Sequence, residues 1–191
     1  MHALPPAPAA PPKRQVVVGT ALFAAAATML VGAMTALWFH FRAGVPRNTW
    51  KPAKLVIPEV ATNVFWITAL LACVMVQWAI YSAKRGDRQH TSMALSIVGV
   101  LGLAMLNSQA YVWGRIKLPV KGDSTYNAMF YAFTGTIFVL IVIGVVYAGV
   151  GAFRYLGGRV KDRDTLAGLA LYWYILAALI TVAWYTIYVT K

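Results

Sequence analysis

The sequence predicts an all-α fold, a bundle of five transmembrane helices, and three observations carry that expectation. Of the 191 residues, 60% are hydrophobic and only 12% are charged, more apolar than a soluble core of this size requires. The apolar residues gather in five stretches with no charge in any interior, at 15–41, 61–83, 91–116, 126–153 and 165–190. A helix rises about 1.5 Å per residue, so roughly 20 residues cross the ~30 Å hydrocarbon core and every stretch is long enough. The Lys and Arg residues lie almost entirely in connections and tails, where headgroups and water can hold them. A net charge of +12 therefore reads as loop charge at a membrane surface. The basic clusters carry no nucleic-acid-binding motif, and no nucleic-acid partner is expected.

The elements follow in order. Residues 1–14 hold five of the nine prolines, interleaved with Ala, and are expected to form a disordered tail. Lys13 and Arg14 ahead of an apolar run resemble a signal peptide, but the run to Phe41 is too long for one, so a retained helix is expected. Within it Thr20, Ala24, Thr28, Gly32 and Ala36 recur every four residues, a stripe open to another backbone. Pro46, Pro52 and Pro58 break the chain between the first and second helices. In the turn at 84–90, Gly86 is placed to close the second helix in a left-handed conformation. Pro119 and Gly122 mark the next loop, with Asp123 and Ser124 set to start the fourth helix. That helix has its own stripe at Gly144, Ala148 and Ala152, and either stripe fits a contact within the chain or with another subunit. Gly157 and Gly158 end it, and Asp164 is the expected N-cap of the fifth helix.

With the N-terminus inside, nine basic residues fall on the inner side and eight on the outer. The inner ones sit in shorter, denser turns, which favours an inner N-terminus and an outer C-terminus.

Chemistry-bearing residues are sparse. Glu59, Asp87, Asp123, Asp162 and Asp164 are the only acids, all in connections or at helix margins. Proton relays and ion carriers keep ionisable groups within the membrane because their function needs them. The spans lack such groups, which argues against a self-sufficient proton-coupled transporter. His2, His40 and His90 lie in the tail, at a helix end and in a turn, so they cannot form a transmembrane haem-ligating pair. Cys73 stands alone and reads as a small apolar residue. No catalytic, cofactor-binding or metal-binding residue is expected in this chain. Gln77, Asn107, Ser108 and Gln109 are the polar groups within spans, and the amides should face protein. Trp38, Trp113, Trp184, Tyr185 and Tyr188 fit interfacial aromatic belts; Trp66 and Trp173 fit packing between helices or against lipid tails.

A family pattern enters at the third helix. Leu101-Gly102-Leu103-Ala104 followed by Gln109-Ala110-Tyr111-Val112-Trp113 resembles the "LG…FL…Q…EW" helix of haem-copper oxidase subunit III. Phe130-Tyr131-Ala132-Phe133-Thr134-Gly135 is similar to that family's "FY.LTG" segment, and Tyr172-Trp173 to its "YWHF". Thr62-Asn63, Gln77-Trp78-Ala79 and Lys84-Arg85-Gly86 fall where the family has "NT", a small and aromatic face, and a basic turn. The resemblance runs from about residue 56 to 190, in order and spacing, and bacterial members of the family often have five helices. The chain departs from the family where "SE" is replaced by Phe23-Ala24-Ala25-Ala26-Ala27-Thr28, where the "LTGFHGLH" histidines are missing, and where Tyr174 replaces the "YWH" histidine.

The resemblance implies a non-catalytic, structural and lipid-binding third subunit of a bacterial aa3-type cytochrome c oxidase. Haem and copper would sit in partner subunits I and II, and phospholipid in a cleft of this chain. It also implies a multi-pass chain of the bacterial inner membrane with a cytoplasmic N-terminus. Arg85, Arg154, Trp66 and Trp173 are the expected lipid contacts. Gln109, Trp113, Tyr131, Thr134, Gly135 and Tyr172 are the expected structural positions. The alternatives are a related subunit of a nitric oxide reductase and an unrelated stand-alone carrier.

Overall fold

A computed structural model describes residues 14–46, 49–52, 55–119, 124–158 and 163–190. Residues 1–13 of the expected tail, and Asp123 and Asp162 in the loops, lie outside the described residues. Five helices follow one another: α1 (Gln15–Ala43), α2 (Glu59–Lys84), α3 (Arg88–Ile116), α4 (Thr125–Leu156) and α5 (Arg163–Trp184). A π-helical turn, Tyr185–Val189, continues α5. All five are long and apolar enough to cross a membrane, and the described residues contain no strand. The fold is an all-α polytopic membrane bundle.

The helices end where the backbone chemistry directs. Gly86 has φ +75° and accepts the left-handed turn after α2 that a side chain would strain. Asp87 then caps α3, its carboxylate accepting the backbone N–H of His90 at 3.0 Å. Lys117 closes α3 in a left-handed conformation, its N–H returning to Trp113 O. Ser124 precedes α4 but makes no side-chain cap. Asp164 differs from its expected role. It lies within the first turn of α5, and its Oδ2 accepts the Val16 N–H of α1 at 2.9 Å. The carboxylate thus satisfies an open donor at the start of a neighbouring helix that runs in the same direction.

The centre of the bundle is α5, 61% of whose spanning window is buried, against 17% for α1. It packs on α1, α2 and α4, while α3 joins α2 to α4 along the opposite edge. Lipid is as apolar as leucine, so close approach and interhelical hydrogen bonds must hold the helices together. Gly102 on α3 and Gly144 on α4 make room for the Trp173 ring, which is 1% exposed. The α4 stripe of Gly144, Ala148 and Ala152 is consumed inside the chain. The α1 stripe is not: Ala24 is buried, whereas Thr28, Gly32 and Ala36 face outward. The buried positions of α1 are Ala24, Ala27, Val31 and Trp38, a three-and-four spacing from which a strict four-residue stripe drifts away.

Candidate functional site

Nearly every seam of the bundle carries a hydrogen bond from a side chain that the sequence places within a span. Between α2 and α3, Ser108 Oγ donates to Ala61 O at 3.1 Å. Between α3 and α4, Ser92 Oγ donates to Ala152 O at 3.3 Å and Trp113 Nε1 to Thr134 Oγ1 at 3.0 Å. Between α2 and α5, Trp66 Nε1 donates to Thr181 Oγ1 at 3.0 Å and the Tyr174 hydroxyl to Gln77 Oε1 at 2.5 Å. Cys73 Sγ, also on this seam, donates to Trp173 O at 3.7 Å. Between α4 and α5, the Tyr172 hydroxyl donates to Leu140 O at 2.6 Å. Near the N-terminal end of α1, Thr20 Oγ1 lies 3.4 Å from the Tyr147 hydroxyl of α4. These groups find protein partners where lipid offers none.

The family-pattern residues divide into those the fold gathers and those it leaves apart. Trp113, Tyr131 and Thr134 meet at the α3–α4 seam. The Trp113 ring lies 6.4 Å from Tyr131 and 5.2 Å from Phe138, and the Tyr131 hydroxyl reaches Leu118 O at 2.9 Å. Thr134 Oγ1 also donates to Phe130 O at 2.7 Å, so one hydroxyl ties its own helix and receives the indole. Gln109 is buried, 4% exposed, and turns towards Tyr188 of the π-helical turn. Tyr172 is buried between α4 and α5 and lies 6.1 Å from the Phe23 ring of α1. Gly135 meets nothing within 4 Å of where a Cβ would stand, so no close approach explains it.

The expected lipid contacts are dispersed. Arg85 lies at the end of α2, exposed, its guanidinium 5.3 Å over the Tyr81 ring. Arg154 is half-buried and donates to Thr165 Oγ1 at 3.1 Å. Trp66 stacks on Trp184 at 4.8 Å with an interplanar angle of 14°. Trp173 lies in the interior, enclosed by the two glycines. The expected aromatic belt is only partly at the surface: Tyr185 is exposed, but Trp38 and Tyr188 are buried. Trp38 packs instead against Trp50 and Tyr126, each at 5.4 Å, and ties the loop after α1 to the start of α4.

Asn107 departs from expectation. Two residues before Gln109 on a helix that turns about 100° per residue, it faces the other way and is exposed. Sequence reasoning that kept the helical angle in view could have separated the two amides.

Among the described residues no group of three or more His, Cys, Asp or Glu is placed to hold a metal ion. His90 Nδ1 lies 2.6 Å from Asp87 Oδ2 at the exposed cap of α3. A wedge of about 270 Å³ opens between the start of α2 and the π-helical turn, lined by residues including Glu59, Asn63, Trp184 and Tyr188.

Comparison with known proteins places this architecture. Residues 12–191 match the family described as cytochrome c oxidase subunit III. The cytochrome c oxidase subunit 3 of Corynebacterium diphtheriae is 24% identical over 91% of this chain and 85% of its own length. That of Sus scrofa is 27% identical and that of Bos taurus 28%, each over 71% of this chain and 49% of the relative. The chain spans about half the length of these mammalian relatives. Family match, helix count and order of motifs agree: the chain belongs to the cytochrome c oxidase subunit III family.

Proposed function

We propose that this chain is the non-catalytic third subunit of a bacterial aa3-type cytochrome c oxidase, and that it stabilises the assembly from within the membrane. The observation that carries the reading is the family match across residues 12–191, combined with spans that several interhelical hydrogen bonds tie together. Asp, Glu, Lys, Arg and His are confined to helix margins, connections and the tails, so the chain's own residues supply packing rather than proton or electron transfer. In this reading, haem and copper belong to subunits I and II, and oxygen is reduced there. The 85% coverage of the Corynebacterium relative supports a bacterial plasma-membrane setting. The denser basic turns on one side support an inner N-terminus.

Phospholipid is the expected small partner. Arg85 and the other basic residues at the inner helix ends offer charge-assisted contacts to lipid phosphates, while Trp66 flanks acyl chains at the α2–α5 seam. Trp173, enclosed in the interior, takes a packing role.

The test is purification of the native assembly through a tag on this chain, followed by measurement of oxygen and nitric oxide consumption. Oxygen consumption with cytochrome c as donor supports the proposal. Nitric oxide consumption in its place assigns the chain to a nitric oxide reductase. Robust solute flux through liposomes holding this chain alone overturns the subunit reading.

A further inference from the structure

One end of the bundle carries more positive charge than its helices require. The connections at 42–60 and 115–125 hold seven Lys and Arg against two acids, Glu59 and Asp123. Arg42 and Arg115 lie in the last turns of α1 and α3, where a cation offsets the carbonyl end of a helix. The other five lie beyond those turns, in the connections themselves. Among them Lys51 and Lys117 form no ion pair with any described residue, and Lys117 is exposed.

The fold brings the two connections together and lays the longer one across the end of the bundle. The Trp50 ring meets Trp38 of α1 at 5.4 Å and Tyr126 of α4 at 5.6 Å, which pins the segment before Lys51 beside the start of α4. The shorter connection is held to the same helix. The Tyr131 hydroxyl donates to Leu118 O at 2.9 Å and Asn127 Nδ2 to Pro119 O at 3.2 Å. Trp50, Leu55 and Ile57 are buried. Lys51 shares a recess with Ile187 and Thr190, and Ile57 borders the wedge beside Trp184 and Tyr188. A segment that runs from α1 past the end of α5 to α2 covers the helix ends, not their lipid-facing sides. Its charge faces the aqueous phase.

We propose that this basic cap is a docking surface for an acidic protein surface in the aqueous phase, one that presents clustered Asp and Glu. Opposite charge steers such a surface onto the cap and fixes its register. A second copy of this chain is repelled, because its matching end carries the same charge and its other end is basic too. Anionic headgroups surround the flanks of the helices, within reach of Arg42 and Arg115, whereas the cap lies over the helix ends. The charge is the chain's own, whichever assembly holds it, so the partner is chosen independently of the oxidase reading.

A zero-length carbodiimide cross-linker joins lysine amines to carboxylates in direct contact, and native membranes holding the full chain are the material for the test. The tagged chain is then isolated under denaturing conditions and its links are mapped by mass spectrometry. Amide links from Lys51 or Lys117 to Asp or Glu of a different polypeptide are expected. Their yield should fall roughly threefold or more as salt rises from about 0.1 M to about 1 M and the screening length drops from ~10 Å to ~3 Å. Lys117→Glu should lower the yield at Lys51 by a similar factor, whereas Lys117→Arg should leave it unchanged. Because Lys117 is exposed, both variants should keep the chain's unfolding midpoint. No intermolecular link at either lysine, links confined to a second copy of this chain, or a yield indifferent to salt and to Lys117→Glu overturns the proposal. Anionic phospholipid held by the wild-type chain and lost from Lys117→Glu in native mass spectrometry, with no protein link, assigns the charge to headgroups and overturns it as well.

Discussion

Thr134 shows how much a single hydroxyl does in a bundle without a hydrophobic driving force. It donates to Phe130 O and receives the Trp113 indole, so Thr134→Val removes one of the α3–α4 bonds while nearly preserving volume. The expected loss is about 0.6–2 kcal/mol, the scale measured for interhelical hydrogen bonds. Thermal unfolding in detergent, read through tryptophan fluorescence, checks it; an unchanged midpoint would remove Thr134 from the account. A second residue-scale prediction concerns the α3 cap. The backbone N–H of His90 holds the Asp87 carboxyl below the usual carboxylate range, with further help from the His90 ring. A depressed folded-state value means that stability is present above the unfolded carboxylate pKa of about 3.9 and is lost as pH falls through the lower value. Hydrogen exchange at the start of α3 should therefore accelerate only under strongly acidic conditions, and Asp87→Ala should bring that acceleration to neutral pH. These residues differ in how legible they were. Thr134 and Trp113 could be picked out by their place in a motif, but their mutual bond required the α3–α4 register. The opposite facing of Asn107 and Gln109 was available from the helical angle alone.

The helices themselves were the most legible level, because a span is specified by its own length and apolarity rather than by its neighbours. What the sequence left open was which small residues pack. Both stripes of Ala, Gly and Thr look alike along the chain, yet α4 uses its stripe within the bundle and α1 turns most of its own outward. The difference is set by α5, whose Trp173, Tyr172 and Leu176 lie against Gly144. Replacing Gly144 by Leu forces atoms into those three side chains and should cost roughly 1–3 kcal/mol, as overpacking of a filled core does. Gly32→Leu on α1, where nothing lies within 4 Å, should leave the isolated chain's unfolding midpoint unchanged. Equal effects of the two variants would contradict the packing described. The attachment of α1 draws on its N-terminal end, where Asp164 accepts from Val16 and Thr20 approaches Tyr147. Asp164 looked like an ordinary cap because sequence proximity cannot show that a carboxylate on the fifth helix serves the first. Asp164→Ala should raise amide exchange across the first turn of α1 while leaving α3 unaffected.

At the scale of the whole molecule, the bundle ties its helices with polar side chains and keeps its Asp, Glu, Lys, Arg and His at helix margins, in connections and in the tails. Order and spacing of four short motifs were enough to point to the family, and the match over residues 12–191 shows the membership. The role of the molecule is less legible than its membership, because a subunit's chemistry lies in contacts that one chain does not contain. The account therefore stands on where the redox centres are. The most direct measurement is a reduced-minus-oxidised absorbance spectrum with metal analysis, taken on the native assembly and on this chain separated from it. The account predicts haem and copper in the assembly and neither with the separated chain. Stoichiometric haem or copper remaining on the separated chain would contradict it.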